Sequence, residues 1–133
     1  MQHVSGKTVT VKSIQSQDED QAEAGVGTRV GLALKGIEDT EIEKGDLLTK
    51  IKVAKRGSIE GKLRLSSLGL EEMKPGNFYW LVSNFSYSKA TMENMLSDKA
   101  TFKLERALAV DKGDRFLLIR DKAPRIFASG EVL

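Results

Sequence analysis

Apolar residues in this chain alternate with polar or small ones along most of its length. Thr8-Val9-Thr10-Val11 alternates, and Val30, Leu32 and Leu34 alternate against Arg29, Gly31 and Ala33. Ile59, Gly61, Leu63 and Leu65 share one parity, as do Phe102, Leu104, Leu108 and Val110, with Arg106 breaking the series. Successive side chains of a strand point to opposite faces, so a period of two predicts half-buried strands. The stretches 78–85 and 115–120 are apolar at both parities, which predicts strands buried on both sides or a buried sheet centre. Pro75-Gly76-Asn77, Lys44-Gly45-Asp46 and Lys112-Gly113-Asp114 supply turn chemistry where hairpins would reverse. Short strands punctuated in this way predict a closed or nearly closed antiparallel barrel or sandwich.

Helical signals are scarce. Glu38-Asp39-Thr40-Glu41-Ile42-Glu43 fits one turn, entered at Asp39 or Thr40 and stopped at Gly45. Residues 87–96 carry apolar side chains at mixed spacing and fit a helix or a strand. Residues 15–27 are polar, acidic and glycine-bearing, so they read as an exposed loop, and Ala54-Lys55-Arg56-Gly57-Ser58 reads as a linker. The charge changes sign near the same place. Residues 1–49 hold five Lys/Arg and nine Asp/Glu, and residues 50–133 hold sixteen and ten. The predicted division is therefore 1–49 and 50–133, with a first piece too short to close a barrel by itself. The basic second piece fits either a polyanionic partner or ordinary solvated charge.

The residue inventory removes several chemistries. The 133 residues contain no cysteine, which excludes disulfides, thiol nucleophiles and cysteine-ligated metals. The single histidine, His3, lies at what reads as a mobile terminus, so a triad or zinc site has almost no material. No apolar run approaches the ~18 residues of a membrane span, and the first seven residues lack a signal-peptide core, which points to a soluble, cytoplasmic chain.

Three local patterns need weighing. Gly6-Lys7-Thr8 looks like the end of a phosphate loop, but the required earlier glycine falls at Met1, and Val9-Thr10-Val11 continues as a strand. Asp18, Glu19, Asp20 and Glu23 lack the alternation, central glycine and closing glutamate of a calcium loop. No carboxylate pair sits in an apolar setting that would split its pKa values, and there is no nucleophile elbow, so no catalytic residue emerges. Tyr79, Trp80, Phe85, Tyr87 and Lys89, followed by Lys103, Arg106, Arg115, Arg120, Lys122 and Arg125, interleave rings with cations. That mixture suits a nucleic-acid surface, or a core of rings beneath solubilising charge.

The run Ala24-Gly25-Val26-Gly27-Thr28-Arg29-Val30-Gly31-Leu32-Ala33-Leu34-Lys35-Gly36-Ile37, followed by Ile42-Glu43-Lys44-Gly45-Asp46-Leu47-Leu48, resembles the end of domain II of translational GTPases. Ala109-Val110-Asp111-Lys112-Gly113-Asp114-Arg115-Phe116-Leu117-Leu118-Ile119-Arg120-Asp121, with Ala128-Ser129-Gly130-Glu131-Val132, resembles the final strands of domain III. With Val11-Lys12-Ser13-Ile14-Gln15 upstream, the likeness is strongest to archaeal SelB-like elongation factors. The resemblance implies an all-β chain: a partial domain II barrel over 1–49 and a six-stranded antiparallel domain III barrel over 50–133. It also makes 87–96 a strand.

The resemblance extends neither to the GTPase domain nor to the opening strands of domain II. It implies a non-catalytic, monomeric region that needs no cofactor of its own, since GTP and magnesium would bind the GTPase domain. The implied partners are aminoacyl-tRNA, the GTPase domain and the ribosome. Arg29 falls at the position lining the family's aminoacyl pocket, and Gly31 and Ala33 beside it leave room for a ligand; an exposed arginine on an outer strand face is the plain alternative. Asp121 and Lys122, flanked by Arg120 and Arg125, match the turn that approaches the tRNA T-stem, although Ala123-Pro124 departs from the Gly-rich sequence there. A module that docks to a GTPase or a ribosomal protein without touching RNA is the second reading, and a small enzyme the third.

Overall fold

Among the residues the structure describes, 56% are strand and 7% helix, so the all-β expectation holds. The computed structural model describes residues 1–3, 6–120 and 125–133. It divides into two units, Met1–Lys52 and Val53–Leu133.

In the first unit, β1 (Gln2–His3), β2 (Thr10–Ser16), β3 (Glu19–Gln21), β4 (Gly31–Lys35) and β5 (Leu48–Thr49) form two antiparallel sheets, ordered β1-β5 and β3-β2-β4. The predicted loop at 15–27 is therefore partly a hairpin. Gln17 and Asp18 turn it with φ of 52° and 62°, the left-handed pair that matches strand twist in a two-residue loop. Val9 is buried, whereas Leu32 stays 40% exposed, because a three-stranded sheet covers little of its own apolar face. His3 is not mobile. It is 4% exposed and its Nε2 lies 2.9 Å from Asp46 Oδ2, which also accepts the Glu43 N–H at 2.8 Å.

The single helical turn is a 3-10 turn over Asp39–Glu41, entered one residue earlier than predicted, at Glu38. The Glu38 N–H donates to Glu41 Oε2 at 2.9 Å, and Lys7 Nζ donates to the other oxygen. The Lys7 ammonium, and after it the Glu38 N–H, hold the Glu41 carboxyl below its ordinary 4.5. A carboxyl lowered by folding adds stability above its unfolded value, and this is lost as pH falls through the folded value. Glu41→Gln should thus be less stable than wild type at neutral pH and equal to it at strongly acid pH, as read by melting curves across that range.

The second unit contains β6 (Lys55–Leu65), α1 (Ser67–Glu72), β7 (Phe78–Ser83), β8 (Ser86–Leu96), β9 (Lys99–Ala109), β10 (Arg115–Ile119) and β11 (Ile126–Val132). Its strands close a barrel in the order β10-β11-β6-β9-β8-β7, every neighbour antiparallel. The linker-like Lys55–Ser58 is the start of β6, and 87–96 is strand. Inward positions follow the alternation: Ile59 and Leu63 on β6, Tyr79 and Leu81 on β7, Ala90 and Met92 on β8, Phe102, Leu104 and Leu108 on β9. Arg106 falls where the β6–β9 register slips, between Arg56↔Leu108 and Ser58↔Lys103. Its N–H donates instead to Ser88 Oγ at 2.9 Å. The Phe116 ring fills the barrel between two strands that carry glycine: a Cβ would lie 2.6 Å from Phe116 Cζ at Gly61 and 2.2 Å at Gly130.

Two expectations fail here. Strands β7 and β10 are not buried on both sides, because a closed barrel has a single interior and their outward residues meet solvent. The turns expected at residues 44–46, 75–77 and 112–114 are present, but none reverses a hairpin. The two-residue hairpin loops are Gln17-Asp18, Asn84-Phe85 and Ser97-Asp98. The helix α1 was unforeseen. Ser66 caps it, accepting the Gly69 N–H at 3.1 Å, and fastens it to β11 by donating its N–H and Oγ–H to Phe127 O. Among the described residues, no helix is long and apolar enough to cross a membrane.

Candidate functional site

Arg29 lies just ahead of β4, exposed, on the wall of a cavity of about 780 Å³ in the first unit. The β2–β3 turn supplies another wall through Gln17 and Asp18, with Gln15 and Ser16 of β2 below them. The register Gln15↔Gly31 brings this turn opposite the segment that carries Arg29. Glycines keep the space open, since Gly27 takes a φ of +82° and neither Gly27 nor Gly31 has an atom within 4 Å of where a Cβ would stand. The lining is polar: a guanidinium, the Asp18 carboxylate, amides and the hydroxyls of Ser16 and Thr28. Such a cavity can hold a ligand with both a positive and a negative or carbonyl group. Among the described residues, no group of three or more His, Cys, Asp or Glu is arranged to hold a metal. Asp18 was missed by sequence reasoning because it is distant from Arg29 in the chain and only the hairpin returns it.

The four basic-turn candidates separate. Asp121 and Lys122 lie outside the described residues. Arg125 is exposed. Arg120 is anchored: its Nη1 donates to Glu72 Oε2 of α1 at 3.1 Å, and its guanidinium carbon stands 5.7 Å from the centre of the Phe127 ring. A guanidinium so held loses little further entropy on meeting a phosphate, but it must share its charge with Glu72.

The ring-and-cation mixture also divides. Tyr79 belongs to the core, stacked at a tilt against Phe127 at 5.6 Å. Phe78, Trp80, Val82, Tyr87, Leu117 and Ile119 form a continuous apolar face on the outside of β8, β7 and β10, through the pairs Val82↔Tyr87, Leu117↔Val82 and Ile119↔Trp80. Phe78, Tyr87 and Leu117 are exposed. Lys89 Nζ caps the Phe78 ring at 4.1 Å, and Trp80 meets Tyr87 edge-on at 5.6 Å. At the hairpin tip Phe85 is 93% exposed with a φ of 59°. Asn84 braces that tip, its Nδ2 donating to Asp114 Oδ2 at 2.8 Å. Large contiguous apolar patches commonly belong to interaction surfaces.

No protein-family model matches this chain. It is 34% identical over 129 residues to an uncharacterized protein of Methanocaldococcus jannaschii, the match covering 95% of this chain and 41% of that protein. It is 29% identical over 153 residues to the selenocysteine-specific elongation factor of the same organism, covering 94% of this chain and 32% of that factor. Among solved structures, translation elongation factor SelB of Methanococcus maripaludis superposes in its apo form with a TM-score of 0.81 at 23% identity, over 98% of this chain and 35% of that one. The same factor bound to the GTP analogue GppNHp gives 0.75 at 23% identity, over 93% and 33%. The chain thus spans between a third and two fifths of the length of these relatives, and its fold is that of the C-terminal region of SelB.

Proposed function

We propose that this chain, which matches the C-terminal region of archaeal SelB-type elongation factors, serves as a non-catalytic part of a translation factor that holds aminoacyl-tRNA. The observation that carries the reading is the Arg29 cavity: a polar, glycine-opened space in the first unit, at the position where the resemblance puts the aminoacyl group. The Arg29 guanidinium suits the ester carbonyl or the terminal ribose, and the Asp18 carboxylate suits the α-ammonium that distinguishes charged from uncharged tRNA. Arg120 and Arg125, on either side of residues 121–124, would meet phosphates of the T-stem. Duplex RNA hides its base edges, so these contacts would read shape and charge. GTP and magnesium belong, on this reading, to a GTPase domain and not to these residues.

The test is a titration of labelled tRNA, charged and uncharged, against the chain at several salt concentrations. Wild type should prefer the charged form, and affinity should fall steeply with salt as phosphate contacts release counterions. Arg29→Ala should remove the preference while changing stability by no more than about 0.5 kcal/mol, the usual range for a surface substitution. Equal losses for both tRNAs would assign Arg29 a structural role. The outer apolar face favours a second, compatible reading, in which β7, β8 and β10 dock to a GTPase domain. Tyr87→Glu would then abolish a protein complex and leave tRNA affinity unchanged.

A further inference from the structure

A second cavity, also of about 780 Å³, runs along the outside of the barrel over β11. Its floor is low at Ser129, whose short outward side chain lies between the longer ones of Arg64 and Leu117 on the neighbouring strands. Lys62 and Arg64 of β6 form one wall, and Arg115 with Leu117 of β10 forms the other; Val82 of β7 extends the apolar side. The register fixes the arrangement, with Ser129 paired to Arg64 and Leu117, and Glu131 paired to Lys62 and Arg115. The walls are therefore two strand spacings apart, roughly 10 Å, the width of a single extended chain. Among the described residues neither Arg64 nor Arg115 pairs with a carboxylate, and Lys62 reaches Asp98 only at 3.8 Å.

We propose that this trough is a docking site for an extended acidic polypeptide segment bearing one apolar side chain. The charge balance asks for an anionic occupant: three cations face the trough against the single carboxylate of Glu131. In an extended peptide successive side chains point to opposite sides, so neighbouring carboxylates reach opposite walls. One meets Arg115 as the next meets Arg64 or Lys62, while the apolar side chain lies on Leu117 and Val82. The Ser129 hydroxyl and the Glu131 carboxylate, on the floor, accept peptide N–H groups. A phosphodiester strand fits less well. Its charges follow one line instead of alternating between the walls, and no open ring face lines the trough to stack a base. The proposal does not rest on the tRNA reading, whose cavity is in the first unit.

The experiment uses the whole chain and a fluorescein-labelled octapeptide of Asp and Glu with a central Leu, followed by anisotropy. An Asn/Gln version of the peptide and a labelled octauridylate are run beside it. The acidic peptide should bind weakly and lose at least about tenfold with Arg64→Glu/Arg115→Glu, as each attraction becomes a repulsion. Ser129→Trp, which fills the trough from an outward-facing position, should abolish binding with an unchanged melting temperature. Lys103→Glu, on β9, should leave binding intact. Absence of binding at millimolar peptide, or equal affinity in all variants, overturns the proposal. So does tighter binding of octauridylate with the same mutational pattern, which would make the trough a nucleic-acid groove.

Discussion

Phe116→Ala should destabilise the barrel by about 4 kcal/mol, the middle of the range for truncating a buried aromatic ring. Its ring is 2% exposed and meets Phe102 edge-on at 6.2 Å, so truncation removes both burial and an aromatic pair. The cavity cannot close. The strands that could collapse into it present Gly61 and Gly130, which have no side chain to swing inward. For a unit of this size the loss corresponds to a fall in melting temperature of about 20 °C. The reciprocal change is informative: Gly130→Ala sets a methyl against the ring and should cost about 2 kcal/mol by overpacking. Combined with Phe116→Leu, it should cost less than the two changes added, because each relieves the other. Thermal unfolding of the four proteins, with the circular dichroism signal of the second unit as readout, checks this. Additive losses would mean that the ring does not occupy the glycine-lined space.

His3→Leu should cost the first unit about 2 kcal/mol, within the usual penalty for leaving a buried polar group without one of its hydrogen-bond partners. The imidazole and the Asp46 carboxylate are 3% and 6% exposed, so water cannot replace the lost donor without opening the unit. Asp46 keeps the Glu43 N–H. His3→Leu/Asp46→Leu should regain part of the loss, since the carboxylate that lost one hydrogen-bond partner is itself gone, though the Glu43 N–H loses its acceptor. Denaturant titration of the single and double variants measures the difference. A loss below about 0.5 kcal/mol in His3→Leu would show that solvent reaches the pair.

Barrel strands were legible because burial on one face imposes a period of two, and Ile59, Leu63, Phe102 and Leu104 obey it. Hairpins were not, because turn chemistry is only a preference. Gln17, Asp18, Asn84, Phe85 and Ser97 all adopt positive φ without glycine, held by the strands they join. The helix α1 carried a signal at Ser66, but Gly69 obscured it. That glycine answers a contact across the fold: a Cβ there would stand 2.1 Å from Phe127 O. The candidate cavity was half legible. Arg29 drew notice through a family pattern, while Asp18 looked like one more solvated acid. Lys62 and Arg64 were hidden among the polar positions of a well-patterned strand. Only the pairing of β6 with β11 and of β11 with β10 places them opposite Arg115.

The pairing of β6 with β11 has a consequence for biosynthesis. The strand of the second unit that leaves the ribosome first takes the last-made strand as one of its two neighbours, with Gly61 opposite Val132 and Leu65 opposite Ala128. Until β11 emerges, one edge of β6 stays unpaired and the interior stays open beneath it. The hairpins β7–β8 and β8–β9 can form in the meantime, but nothing seals the lumen. Ring closure between the two ends of a unit carries a large loop entropy and makes for slow, all-or-none folding. Nascent chains stalled short of β11 would therefore expose a sticky edge, and these are the species a chaperone would have to shield.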